Sequence, residues 1–173
     1  MKRWVIGLIV AGAAVSSASA QPTRRAAEDS QLGFFLGKWN SDGQSRDSAT
    51  GPFSKMTGTE TCSWFSGGPS VICRETTKDA NSESDAIYIL SYDASKKTYA
   101  VYGTDNIGTV YSGTGTVDTA GVWRWTAESR RNGDVTPMRY TFKGGNGTRT
   151  MDVEISSKGT WSKLQSVTYK ITR

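Results

Sequence analysis

From residue 37 onward, apolar and polar residues alternate one by one in short runs, the period of half-buried β-strands. Met151, Val153 and Ile155 alternate with Thr150, Asp152 and Glu154, and Met138, Tyr140 and Phe142 with Arg139 and Thr141. Trp123, Trp125 and Ala127 alternate with Arg124, Thr126 and Glu128, and Val167, Tyr169 and Ile171 with Thr168, Lys170 and Thr172. No comparable stretch has the period of a long amphipathic helix. Turn-forming clusters separate the runs: Gly67-Gly68-Pro69, Asp93-Ala94-Ser95, Asp105-Asn106, Asn132-Gly133 and Gly144-Gly145-Asn146-Gly147. The spacing predicts an all-β domain of about ten short strands joined by tight hairpins. An up-and-down antiparallel meander of that size avoids exposed edges by closing into a barrel; a two-sheet sandwich is the alternative. Ahead of the strands, Ser30–Leu36 reads as a single helical turn capped by Asp29 or Ser30.

The N-terminus has a different pattern. Met1-Lys2-Arg3 is followed by an apolar run from Trp4 to Val15 and by Ser16-Ser17-Ala18-Ser19-Ala20. A basic start, a short apolar stretch and an A-x-A site predict a signal peptide over 1–20, cleaved after Ala20. The apolar run is well short of the ~20 residues that span a bilayer, so no membrane span is expected after cleavage. Residues 21–30 read as a polar, flexible lead-in and 31–173 as one β-domain, and the predicted location is periplasmic or secreted. Cleavage removes Lys2 and Arg3 and lowers the formal charge from +5 to +3. The remaining bases are scattered, with Lys96-Lys97 and Arg130-Arg131 the longest runs, which argues against a nucleic-acid partner. The chain has no histidine. That excludes His-ligated haem, His-containing zinc sites and Ser-His or Cys-His catalysis; no cofactor, metal or catalytic residue is assigned.

Cys62 and Cys73 flank a hairpin turning at Gly67-Gly68. Pro69 has no N–H, so the first hydrogen-bonded pair is expected at Phe65 and Ser70. Strict alternation then makes Cys62–Cys73 a non-hydrogen-bonded pair, whose α-carbons come within disulfide range, and an exported compartment favours oxidation. The same register sets Glu60 opposite Glu75. Met56, Gly58, Cys62 and Trp64 share the Glu60 face, while Lys55, Thr57, Thr59 and Thr61 form the other. Both glutamates are therefore expected to point inward, where facing carboxylates repel. They need a shared proton, a basic partner, a cation or water; an open rim is the remaining alternative.

Three ordered segments resemble the calycin superfamily, in particular a group of exported bacterial proteins known as a domain of unknown function. They are Leu36-Gly37-Lys38-Trp39; Tyr92-Asp93 with Tyr99, Tyr102, Asp105 and Gly108; and Ser157-Lys158-Gly159-Thr160-Trp161 before the last strand. The resemblance covers Gln31 to Arg173 and implies a calycin-like (lipocalin-like) antiparallel barrel with an interior cavity. It also implies that Trp39 packs across the closed end beneath a basic residue of the final strand, a place for which Arg173 has the inward parity. The related nitrobindin-like barrels bind haem through a histidine, which this chain lacks.

The leading functional expectation is a barrel that binds a small apolar or amphipathic molecule. Trp64, Trp123, Trp125 and Tyr140 fall on inward faces, with Glu60 and Glu75 as polar anchors. The same tryptophans could instead fill the barrel as core. The alternatives are an enzyme using Glu60 and Glu75 as an acid–base pair and an envelope interaction domain using the outer face.

Overall fold

The computed structural model describes residues 26–80 and 82–172. The predicted signal peptide, part of the lead-in and Arg173 lie outside them. Among the described residues no helix is long and apolar enough to cross a membrane. The chain starts with a one-turn helix, α1 (Ala27–Gln31), which runs into a 3-10 turn at Leu32–Phe35. Helix formation begins earlier than the sequence suggests. Ala26 occupies the N-cap without a side-chain bond, and Ser30, within the turn, donates its hydroxyl back to the Ala26 carbonyl.

Ten strands follow: β1 (Gly37–Ser45), β2 (Ser54–Trp64), β3 (Val71–Lys78), β4 (Glu83–Asp93), β5 (Thr98–Asp105), β6 (Val110–Val117), β7 (Trp123–Arg131), β8 (Asp134–Gly145), β9 (Thr148–Ser157) and β10 (Thr160–Ile171). Each pairs antiparallel with its sequence neighbours, and β1 pairs with β10 to close the barrel. The expected meander is therefore correct, and closure excludes the sandwich. The hairpins use the turn chemistry legible in the chain. Asn132-Gly133, Asn146-Gly147 and Lys158-Gly159 all hold positive φ at both positions, the backbone of a two-residue turn whose twist matches the strands.

Alternation sorts the side chains. Along β7, Trp123, Trp125 and Ala127 are buried while Arg124, Thr126 and Glu128 are exposed; along β2, Met56, Glu60 and Cys62 are buried while Thr57, Thr59 and Thr61 are exposed. The outer face of these two strands is thus polar, while the outward positions of β3, β4 and β5 carry Ile72, Ile87, Ile89 and Tyr102 side by side.

The two ends differ. The 3-10 turn lies under the end where β1 begins and packs Leu32 and Phe35 into the core. Phe35 meets Trp123, Phe34 and Phe142 edge-on, with ring centroids 5.0–5.4 Å apart. Tyr99 of β5 donates its hydroxyl to the Glu28 carbonyl at 2.9 Å and ties the helix down. This end is closed. The opposite end, where the described loop residues 46–53, 79–80 with 82, 106–109, 132–133 and 158–159 lie, carries the mouth of an internal cavity.

The hairpin staple forms as expected. Phe65 N–H donates to Ser70 O at 2.8 Å, and Cys62 and Cys73 are disulfide-bonded across β2 and β3 with α-carbons 4.1 Å apart.

Candidate functional site

The β2–β3 register sets Glu60 opposite Glu75, and closure of the barrel brings β9 and β10 round to meet them. Arg149, at the start of β9, forms an ion pair with Glu60, and both side chains are 1% exposed. The Arg149 guanidinium also donates to the Phe35 carbonyl at 3.2 Å, an oxygen that Trp39 Nε1 bonds at 3.1 Å. Its carbon lies 4.4 Å from the Trp39 ring centroid and 4.5 Å from that of Tyr169. The pair is therefore enclosed by aromatic faces and bonded to the closing turn, as a desolvated ion pair requires.

The cation that sits on Trp39 is thus on the ninth strand. Arg173, the basic residue expected there, lies outside the described residues. Sequence reading missed Arg149, although it shares the inward parity of Met151, Val153 and Ile155.

Glu75 has a different environment. It lines the cavity and accepts a hydrogen bond from the Tyr169 hydroxyl at 3.0 Å. Burial, reinforced by the Glu60 carboxylate, pushes its carboxyl up to about 7; the Tyr169 hydroxyl and Arg149 pull the other way. Burial also raises the Tyr88, Tyr140 and Tyr169 phenols, each next to Glu75. Glu60, Cys62 and Cys73 converge closely enough to suggest a metal site, but the disulfide uses both sulfurs and Arg149 holds the carboxylate.

The cavity has a volume of about 780 Å³. Its floor is Phe35, Trp125, Phe142, Tyr169 and Glu75; its middle is Tyr88, Tyr111, Tyr140 and all three described methionines, Met56, Met138 and Met151. The mouth is polar, with Asp47, Lys78, Asp79, Asp105, Arg131 and Asp134. Three glycines in the wall allow close strand approach: an added Cβ would sit 2.7 Å from the Ile87 carbonyl oxygen at Gly103, 2.5 Å from that of Thr126 at Gly113, and 2.4 Å from Trp125 ring carbon Cδ2 at Gly115.

Of the expected ligand-contacting residues, Trp125, Tyr140 and Glu75 line this cavity. Trp123 does not: it is 1% exposed, stacks parallel to Trp125 at 5.8 Å and fills the closed end with Phe35 and Tyr99. Trp64 packs part-buried against the same apolar cluster, near the disulfide. Glu60 is sealed beneath the floor. The two glutamates therefore form no shared acid–base pair open to the cavity.

A closed antiparallel barrel with a helical turn under one end and a cavity open at the other is a calycin-like, that is lipocalin-like, protein. The chain belongs to the family described as "Protein of unknown function (DUF1579)", whose model matches residues 25–170. The crystal structure of Rv2717c from M. tuberculosis is similar, with a TM-score of 0.65 and 12% identity over 87% of this chain and 100% of that one. At that identity the likeness concerns the fold alone. No curated protein matches the sequence.

Proposed function

We propose that this is an exported binding protein whose barrel interior takes a small apolar or amphipathic molecule. The observation that carries the proposal is the cavity of about 780 Å³, within the usual size of ligand sites and walled below its polar mouth by aromatic and thioether side chains around the Glu75 carboxyl. Methionine side chains adapt to ligand shape, and the polar mouth keeps the opening wetted. Export is supported by the signal-like residues 1–20 and by the disulfide.

Native mass spectrometry of the protein purified from its own source, followed by solvent extraction, tests both parts. The expected result is a mature chain starting at Gln21 with a co-purifying organic molecule that extraction releases. A ligand-free protein that also fails to take up any apolar probe from solution would refute the binding proposal.

A further inference from the structure

Resting on that binding role, we infer that the ligand carries a cationic amine, seated against Glu75 among Tyr88, Tyr140 and Trp125. The argument begins with charge balance under the cavity. Two carboxylates, Glu60 and Glu75, face each other, and one guanidinium serves them. Arg149 is committed to Glu60, to the Phe35 carbonyl and to the Trp39 and Tyr169 rings, and it does not line the cavity. Glu75 has one neutral donor, the Tyr169 hydroxyl. Ionised, it is a cavity-facing anion whose nearest cation, Arg149, is already paired with Glu60, and burial makes such an anion costly. An ammonium group entering the cavity supplies a countercharge together with N–H donors.

The walls favour the same ligand. Tyrosine and tryptophan rings attract cations through their faces, and Tyr88, Tyr140 and Trp125 line the cavity with Glu75. The mouth carries Asp47, Asp79, Asp105 and Asp134 with Lys78 and Arg131, and its loops add Arg46 and Lys158, so charges of both signs surround the opening and the selection for a cation lies deeper, at Glu75. A carboxylate ligand would meet Glu75 head-on.

The groups facing Glu75 are Glu60 from β2, Tyr88 from β4, Tyr140 from β8, Arg149 from β9 and Tyr169 from β10. The tyrosines are shifted upward, away from neutrality, so binding an amine near pH 7 displaces the Glu75 proton.

Three matched probes test the inference on the disulfide-bonded protein by calorimetry: 4-phenylbutylamine, 4-phenylbutan-1-ol and 4-phenylbutanoate. At about pH 8 the amine should bind at least about tenfold more tightly than the alcohol, with the acid weakest. That advantage should shrink as pH falls to about 5, and near pH 7 amine binding should release protons, measured by comparing buffers of different ionisation enthalpy. Glu75→Gln should remove the advantage and the proton release, with near-UV circular dichroism reporting an intact fold. If the variant does not fold, the wild-type pH series decides alone. Alcohol binding as tight as amine binding at about pH 8, or acid binding tightest, overturns the amine inference and leaves a binding barrel standing. Failure of all three probes counts against the binding role itself.

Discussion

Replacing Arg149 by methionine keeps an unbranched chain in the barrel floor but removes the cation beneath Glu60. Both partners of that ion pair are 1% exposed, so the variant leaves a carboxylate in a site water does not reach. Breaking a buried pair from one side costs about 3–5 kcal/mol, much of it the penalty on the abandoned charge. The guanidinium also loses its contacts over Trp39 and Tyr169, about 0.5–2 kcal/mol at a desolvated position. The Phe35 carbonyl is not orphaned, because Trp39 Nε1 still donates to it at 3.1 Å. Arg149→Met should therefore destabilise by roughly 4 kcal/mol. Glu60→Leu alone leaves the guanidinium facing Glu75 as its remaining carboxylate and should cost less, about 2–3 kcal/mol. The double variant has no buried charge from either residue and should return to within about 2 kcal/mol of wild type. Urea unfolding followed by tryptophan fluorescence measures all four corners of this cycle. Single substitutions that cost less than about 1 kcal/mol, or that add up in the double variant, would refute a desolvated pair and put water at the barrel floor.

Three further outcomes follow from the site. The folded Glu75 carboxyl is raised to about 7 from its ordinary 4.5, so its contribution to stability is fully present below the ordinary value and is lost as pH rises through 7. Wild-type stability should accordingly fall between about pH 5 and pH 8, whereas Glu75→Gln should flatten that slope and gain about 3 kcal/mol at the upper end. A denaturation series showing the same slope in both proteins would refute this. Reducing Cys62–Cys73, which closes a loop with a sequence separation of 11, should cost about 3 kcal/mol on the chain-entropy model, read as a fall in Tm with dithiothreitol; an unchanged Tm would contradict it. In Gly115→Ala the new methyl meets the Trp125 ring at 2.4 Å and must displace it. Stability should drop by about 1–3 kcal/mol and the near-UV signal of the stacked Trp123–Trp125 pair should change; an unaltered spectrum would show that the ring is not held there.

Much of the wall was legible because β-strand alternation fixes which side chains point inward. Pro69 set the hairpin register, which paired Cys62 with Cys73 and Glu60 with Glu75 as observed. The same counting marks Arg149 as inward, but its position at the edge of a glycine-rich turn hid that. Alternation carries no information about depth along the barrel axis. Trp123 and Trp125 share a face, yet one fills the closed end and the other forms the cavity floor, a difference set by where the 3-10 turn docks. That docking joins Phe35 to Trp123 and Arg149, more than 80 residues away, and no local pattern records it.

The placement of the methionines gives the cavity its own spectroscopic reporter. Met56, Met138 and Met151 project into it from β2, β8 and β9, so carbon-13 labelling of methionine methyl groups places three NMR probes around the space a ligand would occupy. An occupant would shift these resonances together through nearby ring currents, whereas contact with the outer wall would leave them in place. The protein can therefore be screened for its ligand in crude extract, without knowing beforehand what that ligand is.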